Sequence, residues 1–340
     1  MNGKERFSAV LEGSLPDQVP VAPPFQGYWA LDAFGVTVPK SLADPVAAAQ
    51  AAIAAQEVCP FDALEVVWDW VANIDLLGCT SKILDSGSPL VVKHVLESSA
   101  DVARLRSLDL TADDRVEASV RTAEVLLEQL SKDFFCYATI PLPFTLASYL
   151  RKVDYLMKDL IRKPDTAREL LEFAAEVVID AAKLYASLGV HGLFVCDPSA
   201  SGDLISPQHY AEFAAPYAGH VIETVKAMGP KPILHVCGDT TRILPLIKQL
   251  SPSAFSFDTA VGVDVAKEAL GDAVCLMGNV DPSDTLLLGT SDKVQREAKL
   301  CIEKGWSGGG FALAAGCDIG VETPLDNVRT MIGACAQARY

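Results

Sequence analysis

The second half of the chain alternates short apolar runs with longer segments that have the spacing of amphipathic helices. The apolar runs predict strands at 192–196, 232–237, 254–258, 274–280 and 310–315. The segments after them predict helices at 206–228, 240–250, 263–270, 290–304 and 324–338. Ser206-Pro207 and Thr323-Pro324 each place a capping residue before a proline, a typical helix start. Strands that alternate with helices pair in parallel through crossover connections, so the pattern constrains the chain to an α/β fold.

The first half shows the same alternation less regularly. Its apolar runs predict strands at 19–24, 63–70 and 134–140, and its helical patterns fall at 44–56, 112–130 and 166–188. A further run at 89–95 is interpreted as one strand of an insertion hairpin near 80–100. Eight strands remain, which predicts one (β/α)₈ TIM-barrel domain over residues 1–340 with an N-terminal extension.

An open, doubly wound sheet is the alternative architecture. That fold binds dinucleotides through a G-x-G-x-x-G turn between an early strand and a helix. The sequence has no such turn after an early strand, and Gly308-Gly309-Gly310 precedes a strand instead of opening a helix. The pattern therefore favours the barrel.

Composition excludes several functional classes. The formal net charge is −16 at pH 7, whereas nucleic-acid binding needs clustered lysine and arginine. The sequence has neither an apolar stretch of transmembrane length nor the apolar run of a secretory signal near its start. Its nine cysteines are irregularly spaced and mostly lie in apolar surroundings, which is typical of buried thiols in a reducing compartment. We therefore expect a cytoplasmic protein that binds neither nucleic acid nor membrane.

The segment Leu234-His-Val-Cys-Gly238 carries the most specific chemistry. Residues two apart on a strand face the same side, so His235 and Cys237 point together at the end of the predicted strand. In a barrel that end carries the active site, and Cys317 ends another predicted strand at the same rim. One imidazole and two thiolates form a catalytic zinc set that leaves a fourth position open. We predict zinc at His235, Cys237 and Cys317, with Asp258, at the end of an intervening strand, as a further candidate ligand.

Segments spread over nearly the whole chain also carry a family resemblance. They are Arg6-Phe-Ser-Ala-Val-Leu-Glu-Gly13, Pro16-Asp-Gln-Val-Pro20, Pro143-Phe-Thr-Leu-Ala147, Cys196-Asp-Pro-Ser-Ala200, Ile205-Ser-Pro207, Gly278-Asn-Val280, Ala315-Gly-Cys317 and Thr323-Pro-Leu-Asp-Asn327. With them the chain resembles the uroporphyrinogen decarboxylase superfamily. The H-x-C pair, followed about eighty residues later by a cysteine, resembles the zinc-dependent methylcobalamin:coenzyme M methyltransferases within it.

The resemblance implies a methyltransferase that holds one zinc ion and works with a corrinoid protein. A methyl group would move between the corrinoid, as methylcobalamin, and a zinc-activated thiol such as coenzyme M. A substrate pocket is expected at Phe25, Tyr28, Trp68, Asp197 and Asn279. Three alternatives stay open. Zinc could act as a Lewis acid on a methylated donor, a methoxy compound or methylamine, whose methyl goes to the corrinoid protein. The chain could be a non-catalytic barrel that binds a corrinoid or tetrapyrrole, or a zinc thiol transferase that acts on another electrophile such as an epoxide.

Two departures from the resembling families bear on the function. The decarboxylases carry an arginine-bearing segment near the first strand that grips propionate groups, and the stretch 22–30 lacks it. Decarboxylation of a porphyrinogen is therefore not expected. The coenzyme M enzymes tend to have glutamate where Asp258 stands, which leaves the fourth ligand and the acceptor open.

Overall fold

A curled parallel sheet forms the centre of the molecule. The computed structural model describes residues 1–97, 101–102, 105, 109–336 and 338. The strands within this part of the chain are β1 (Ala63–Val67), β2 (Thr80–Lys82), β3 (Leu90–Lys93), β4 (Phe135–Pro141), β5 (Gly192–Cys196), β6 (Lys231–Val236), β7 (Ala254–Phe257), β8 (Cys275–Val280) and β9 (Phe311–Ala315). Among these residues, seven strands form one parallel sheet in the order β1-β4-β5-β6-β7-β8-β9. The α/β class and the parallel pairing predicted from the sequence are confirmed.

Helices cover the outer face of this sheet. They are α1 (Gly3–Leu11), α2 (Gly27–Ala33), α3 (Val38–Ala43), α4 (Pro45–Val58), α5 (Asp114–Leu130), α6 (Pro143–Arg151), α7 (Val153–Arg162), α8 (Pro164–Ser187), α9 (Pro207–His209), α10 (Ala215–Met228), α11 (Leu244–Leu250), α12 (Val263–Leu270), α13 (Ser291–Gly305) and α14 (Leu325–Cys335). Because helices cover one side and packed side chains fill the other, every residue of β1, β4, β5, β7, β8 and β9 is buried. No helix in the described part of the chain is both long and apolar enough to cross a bilayer.

The predicted first strand, 19–24, does not form as expected. Val21 makes only an isolated parallel bridge to Leu313 of β9, and its carbonyl accepts a hydrogen bond from the Asp62 amide, just before β1, at 2.8 Å. The segment contains Pro20, Pro23 and Pro24. Prolines have no amide N–H to donate, so this segment cannot form continuous rows of hydrogen bonds to both β1 and β9. The sheet is therefore an open curl of seven strands whose edges are linked by this segment, instead of a closed eight-stranded barrel.

Two other predicted elements differ in detail. The predicted helix 206–228 is split into α9, a π-helical turn at Tyr210–Ala214, and α10. Pro216, at the start of α10, lacks the amide that a continuous helix would need there. The insertion near 80–100 contains β2 and β3 as an antiparallel pair. Residues 98–100 of that insertion, and residue 337 of the predicted helix 324–338, lie outside the described residues.

The interior of the curl is closed at one end and accessible at the other. Aromatic and small side chains from the strands fill it, and Phe7 of α1 packs edge-on against Phe135 of β4 with ring centroids 4.9 Å apart. That contact covers the end where the strands begin. The carboxyl ends of the strands are left for polar side chains, as in α/β barrels generally.

Candidate active site

The carboxyl ends of β6 and β9 bring together the three side chains predicted to bind zinc. His235 lies in β6 and is fully buried, Cys237 follows the last residue of that strand, and Cys317 comes two residues after β9. His235 Nε2 lies 3.1 Å from Cys237 Sγ and 3.8 Å from Cys317 Sγ, and the two sulfurs are 3.7 Å apart. These ligand atoms all lie within 4.8 Å of one another.

This spacing fits a tetrahedral metal ion. Zinc bonds of about 2.3 Å to sulfur and about 2.0–2.1 Å to nitrogen imply sulfur–sulfur separations of about 3.8 Å and nitrogen–sulfur separations of about 3.6 Å. The Cys237–Cys317 and His235–Cys317 separations fall within about 0.2 Å of those values, and the 3.1 Å between His235 Nε2 and Cys237 Sγ is about 0.5 Å shorter. A donor set of one imidazole and two thiols also suits zinc better than magnesium or calcium, which prefer oxygen.

The imidazole of His235 is held in place through Nδ1, the ring nitrogen that does not face the two sulfurs. Nδ1 lies 3.0 Å from the hydroxyl of Ser256, a buried residue that pairs with His235 across β6 and β7. The ring also meets Phe25 edge-on, with centroids 5.3 Å apart, and stacks on Phe194 at 5.8 Å. A proton on Nδ1 shared with Ser256 leaves the Nε2 lone pair free to point at the sulfurs.

The two sulfurs perturb each other's ionisation. A hydrogen bond from the Cys237 thiol, with a further contribution from His235, lowers the pKa of Cys317. The same contact between the sulfurs, together with burial, raises the pKa of Cys237. Cys317 is therefore the thiol that ionises first, and a thiolate is the form that binds metals.

The structure does not bring Asp258 into this cluster. One carboxylate oxygen accepts the amide N–H of Gly238 at 3.1 Å, and the other accepts the amide N–H of Ala260 at 3.0 Å. Both oxygens thus hold backbone in the two turns that follow β6 and β7. Asp258 does lie at the carboxyl end of the sheet, as predicted, but its carboxylate stabilises the two turns there.

The residues predicted to line a substrate pocket fall into two groups. Phe25 touches the His235 ring, and Asp197 donates its amide N–H to the His235 carbonyl at 2.9 Å. The Asp197 carboxylate accepts two hydrogen bonds from Thr145, and burial raises its pKa to about 7. Asn279 donates its side-chain amide to two backbone carbonyls, so it braces the loop after Asp258.

Tyr28 and Trp68 line a separate small cavity with Asp69. The Tyr28 hydroxyl is buried there and has no hydrogen-bond partner among the described residues. The lining of this cavity includes these two predicted pocket residues and none of the three proposed zinc ligands.

Sequence reasoning missed three polar residues near the cluster. Ser256 and Glu65 interrupt otherwise apolar strands, which is the signal that could have found them. Glu65 accepts hydrogen bonds from the amides of residues 26 and 27 and from the Thr139 hydroxyl, and burial raises its pKa to about 7. Asp318 directly follows Cys317, and desolvation by the surrounding protein, with the nearby Glu65 and Cys317, raises its pKa well above the ordinary value.

Comparison with known proteins points to one family. The family model described as uroporphyrinogen decarboxylase (URO-D) matches residues 2–338. The chain is 31% identical to a methylated-thiol–coenzyme M methyltransferase of Methanosarcina mazei, over 99% of this chain and 90% of that protein. It is 29% identical to the methylcobamide:CoM methyltransferase MtaA of Methanosarcina barkeri, over 97% of this chain and 96% of that protein. A solved structure of a methyltransferase from Methanosarcina mazei superposes with a TM-score of 0.90 at 27% identity and covers 99% of both chains.

Proposed function

The chain belongs to the uroporphyrinogen decarboxylase (URO-D) family, and from this premise we propose that it is a zinc-dependent methyltransferase which moves a methyl group between a corrinoid and a small thiol. The similarity to methyltransferases named for methylcobamide, methylated thiols and coenzyme M supports the reaction class. The corrinoid would be carried by a partner protein.

One observation carries the proposal. The ligand atoms of His235, Cys237 and Cys317 all lie within 4.8 Å of one another, at the carboxyl end of the sheet. Three protein ligands leave one position for substrate, which is the arrangement of catalytic zinc sites. We leave Asp258 out of the proposed ligand set, because both of its oxygens already hold turn amides.

Zinc held by these ligands would favour the deprotonated form of an incoming thiol near neutral pH. Ser256 holds the His235 ring through Nδ1, so that Nε2 would be free to bind the ion, and Phe25 and Phe194 pack against the imidazole. In the reaction the thiol sulfur bonds to the methyl carbon and the cobalt–carbon bond breaks. The electron pair of that bond stays on cobalt, and the thiol proton goes to solvent.

A methylated thiol as donor is the second candidate. One relative is named for a methylated thiol, and the same cluster would hold the departing sulfur in that direction. The sulfur–carbon bond would break, its electron pair would stay on sulfur, and cob(I)alamin would receive the methyl group.

The test is metal content followed by demethylation of free methylcobalamin with 2-mercaptoethanol, without oxygen. We expect about one zinc per chain in the wild type. Cys237→Ser and Cys317→Ser should each lose the zinc, and their rate of methylcobalamin demethylation should fall by about 100-fold or more. Cys275→Ala is the matched control, because Cys275 is a buried cysteine at the start of β8, outside the cluster. Full activity of metal-free wild-type protein would contradict the proposal and favour a barrel that uses no zinc.

A further inference from the structure

Phe25 is a partly exposed residue within a buried segment of the chain. Every other residue from 19 to 31 is buried. The ring of Phe25 packs edge-on against His235, with centroids 5.3 Å apart, and against Phe194, with centroids 5.0 Å apart. Because protein surrounds only part of this ring, packing alone does not fix where it lies. Its position therefore depends on how the backbone on either side of Phe25 is held.

A buried carboxyl group holds the backbone that follows Phe25. Glu65, in the middle of β1, is 1% exposed, and its Oε2 accepts the amide N–H groups of Gln26 and Gly27, each at 3.1 Å. Its other oxygen accepts the hydroxyl of Thr139 on β4. Both amides lie at the start of α2, and the first N–H groups of a helix have no partner within the helix. Loss of the Glu65 oxygens would leave two buried donors unsatisfied.

A buried hydroxyl group holds the backbone that precedes Phe25. The hydroxyl of Tyr137, a fully buried residue of β4, donates to the Pro23 carbonyl and lies 3.2 Å from the Pro24 carbonyl. Prolines have no amide N–H, so this stretch of backbone can form hydrogen bonds only through its carbonyl groups. Tyr137 is also the residue that pairs with Glu65 across β1 and β4. One cross-strand pair therefore holds the chain on both sides of Phe25.

We propose that Glu65 and Tyr137 are positioning residues which set the affinity and geometry of the zinc site through Phe25. The inference rests on the proposed function, because it concerns the same metal site. Among the described residues, neither side chain forms a hydrogen bond with a proposed zinc ligand. The pair fixes the backbone of residues 23–27, this backbone places the ring of Phe25, and the ring limits rotation of the His235 imidazole.

This role needs a hydrogen-bond acceptor at Glu65 and does not need a charge. Both backbone amides share one oxygen, Oε2, so the side-chain oxygen of a glutamine can replace it. The NH₂ group of that glutamine would face the Thr139 hydroxyl, which can accept as well as donate. Glu65→Gln should therefore keep the wild-type site. Glu65→Met, with a side chain of similar length and only a weak acceptor, should disturb it.

The experiment measures zinc affinity by competition with a chromophoric chelator, and the visible spectrum of the Co²⁺-loaded protein, which reports on ligand geometry. Glu65→Met should weaken zinc binding by about tenfold and shift the Co²⁺ absorption bands, because outer partners of metal ligands affect affinity by about 10–100-fold. Glu65→Gln should match the wild type within about twofold. In a Phe25→Ala background, Glu65→Met should change zinc affinity by no more than about twofold, since both positions act through one contact.

Asn327→Leu is the matched control for a general loss of stability. The Asn327 side chain is buried and donates to the carbonyls of Leu286 and Gly289, each at 2.9 Å, in a loop after β8 that contains no proposed ligand. This variant should melt at a lower temperature than the wild type, with unchanged zinc affinity and Co²⁺ spectrum. If Glu65→Met does not fold, Tyr137→Phe, alone and with Phe25→Ala, provides the same test, because it removes only the hydroxyl group.

The outcomes distinguish this inference from the proposed function. Wild-type zinc affinity and Co²⁺ spectrum in folded Glu65→Met or Tyr137→Phe would overturn the positioning role and leave the methyltransferase proposal intact. An effect that keeps its full size in the Phe25→Ala background would also overturn that role, because it would not act through Phe25. A wild-type protein that binds neither zinc nor Co²⁺ would overturn the proposed zinc site and this inference with it.

Discussion

The imidazole of His235 shows how much a metal-site residue depends on neighbours that cannot touch the ion. Its orientation comes from Ser256 on Nδ1 and from the two aromatic rings against its faces and edge. In protein zinc sites, such outer partners fix the tautomer and raise the basicity of the ligand. The serine therefore contributes to metal affinity although it lies on a different strand.

Ser256→Ala should weaken zinc binding by about 10–100-fold, because Nδ1 loses its partner in a fully buried position. Competition with a chromophoric chelator measures the change. Ser253→Ala is the control, since Ser253 lies just before the same strand and uses only its backbone in the sheet. Equal zinc affinity in the wild type and Ser256→Ala would show that packing alone orients the ring.

The residues that sequence reasoning could find are those whose direction follows from strand periodicity. His235 and Cys237 share a face because they are two apart, and Cys317 shares their rim because parallel strands end together. Asp258 fulfilled the same rule, yet its short side chain turns back to the amides of its own rim. Strand periodicity predicts which side of the sheet a residue faces but not which hydrogen bonds its side chain forms, so the contacts of Asp258 could not be derived.

Secondary-structure elements were predictable where the chain is regular and apolar. Strand β5 has the bounds predicted for it, 192–196, and β6 to β9 lie within one or two residues of their predicted runs. The segment 19–24 has equally apolar residues, but its prolines cannot supply the amides of a strand. Hydropathy and hydrogen-bonding capacity are separate properties, and a pattern of apolar residues reports only the first.

The contact between α5 and the end of β1 depends on a buried ion pair. Arg115→Ala should destabilise the protein by about 3–5 kcal/mol, because it leaves the buried Asp69 carboxylate without its bidentate partner. Chemical denaturation of the purified protein measures the loss.

Arg121→Ala, on the same helix, is the control for that prediction. Its ion pair with Glu117 is exposed on both sides, so its loss should change the unfolding free energy by no more than about 0.5 kcal/mol. Equal effects of the two substitutions would mean that α5 is held by its apolar face and not by the ion pair.

At the scale of the whole molecule, the proposed zinc would link strands that are not neighbours. His235 and Cys237 belong to the β6 end and Cys317 to the β9 end, with β7 and β8 between them. An ion held there ties together opposite parts of the curl. Its binding energy is then available to the fold, because the unfolded chain has no preformed site.

Removal of the metal should therefore lower thermal stability. With free zinc at about 100 times its dissociation constant, binding adds about 2.7 kcal/mol, and a chelator should lower the melting temperature by several degrees. Differential scanning calorimetry with zinc and with chelator measures the shift. Cys317→Ser should melt at the same temperature in both buffers. A chelator-insensitive wild type would mean that the cluster adds nothing to the fold.

The loop around Phe25 is part of both the architecture and the chemistry. The loop continues from the segment that links the two edges of the sheet. The ring of Phe25 packs edge-on against His235, and the Phe25 carbonyl accepts the amide N–H of Ile319 at 3.1 Å. One short piece of backbone thus touches both sides of the cluster while it spans the gap in the curl. A motion that separates β1 from β9 would also move the imidazole of His235 relative to the Cys317 thiol. Opening of the sheet at this gap and loss of the zinc site would therefore occur together.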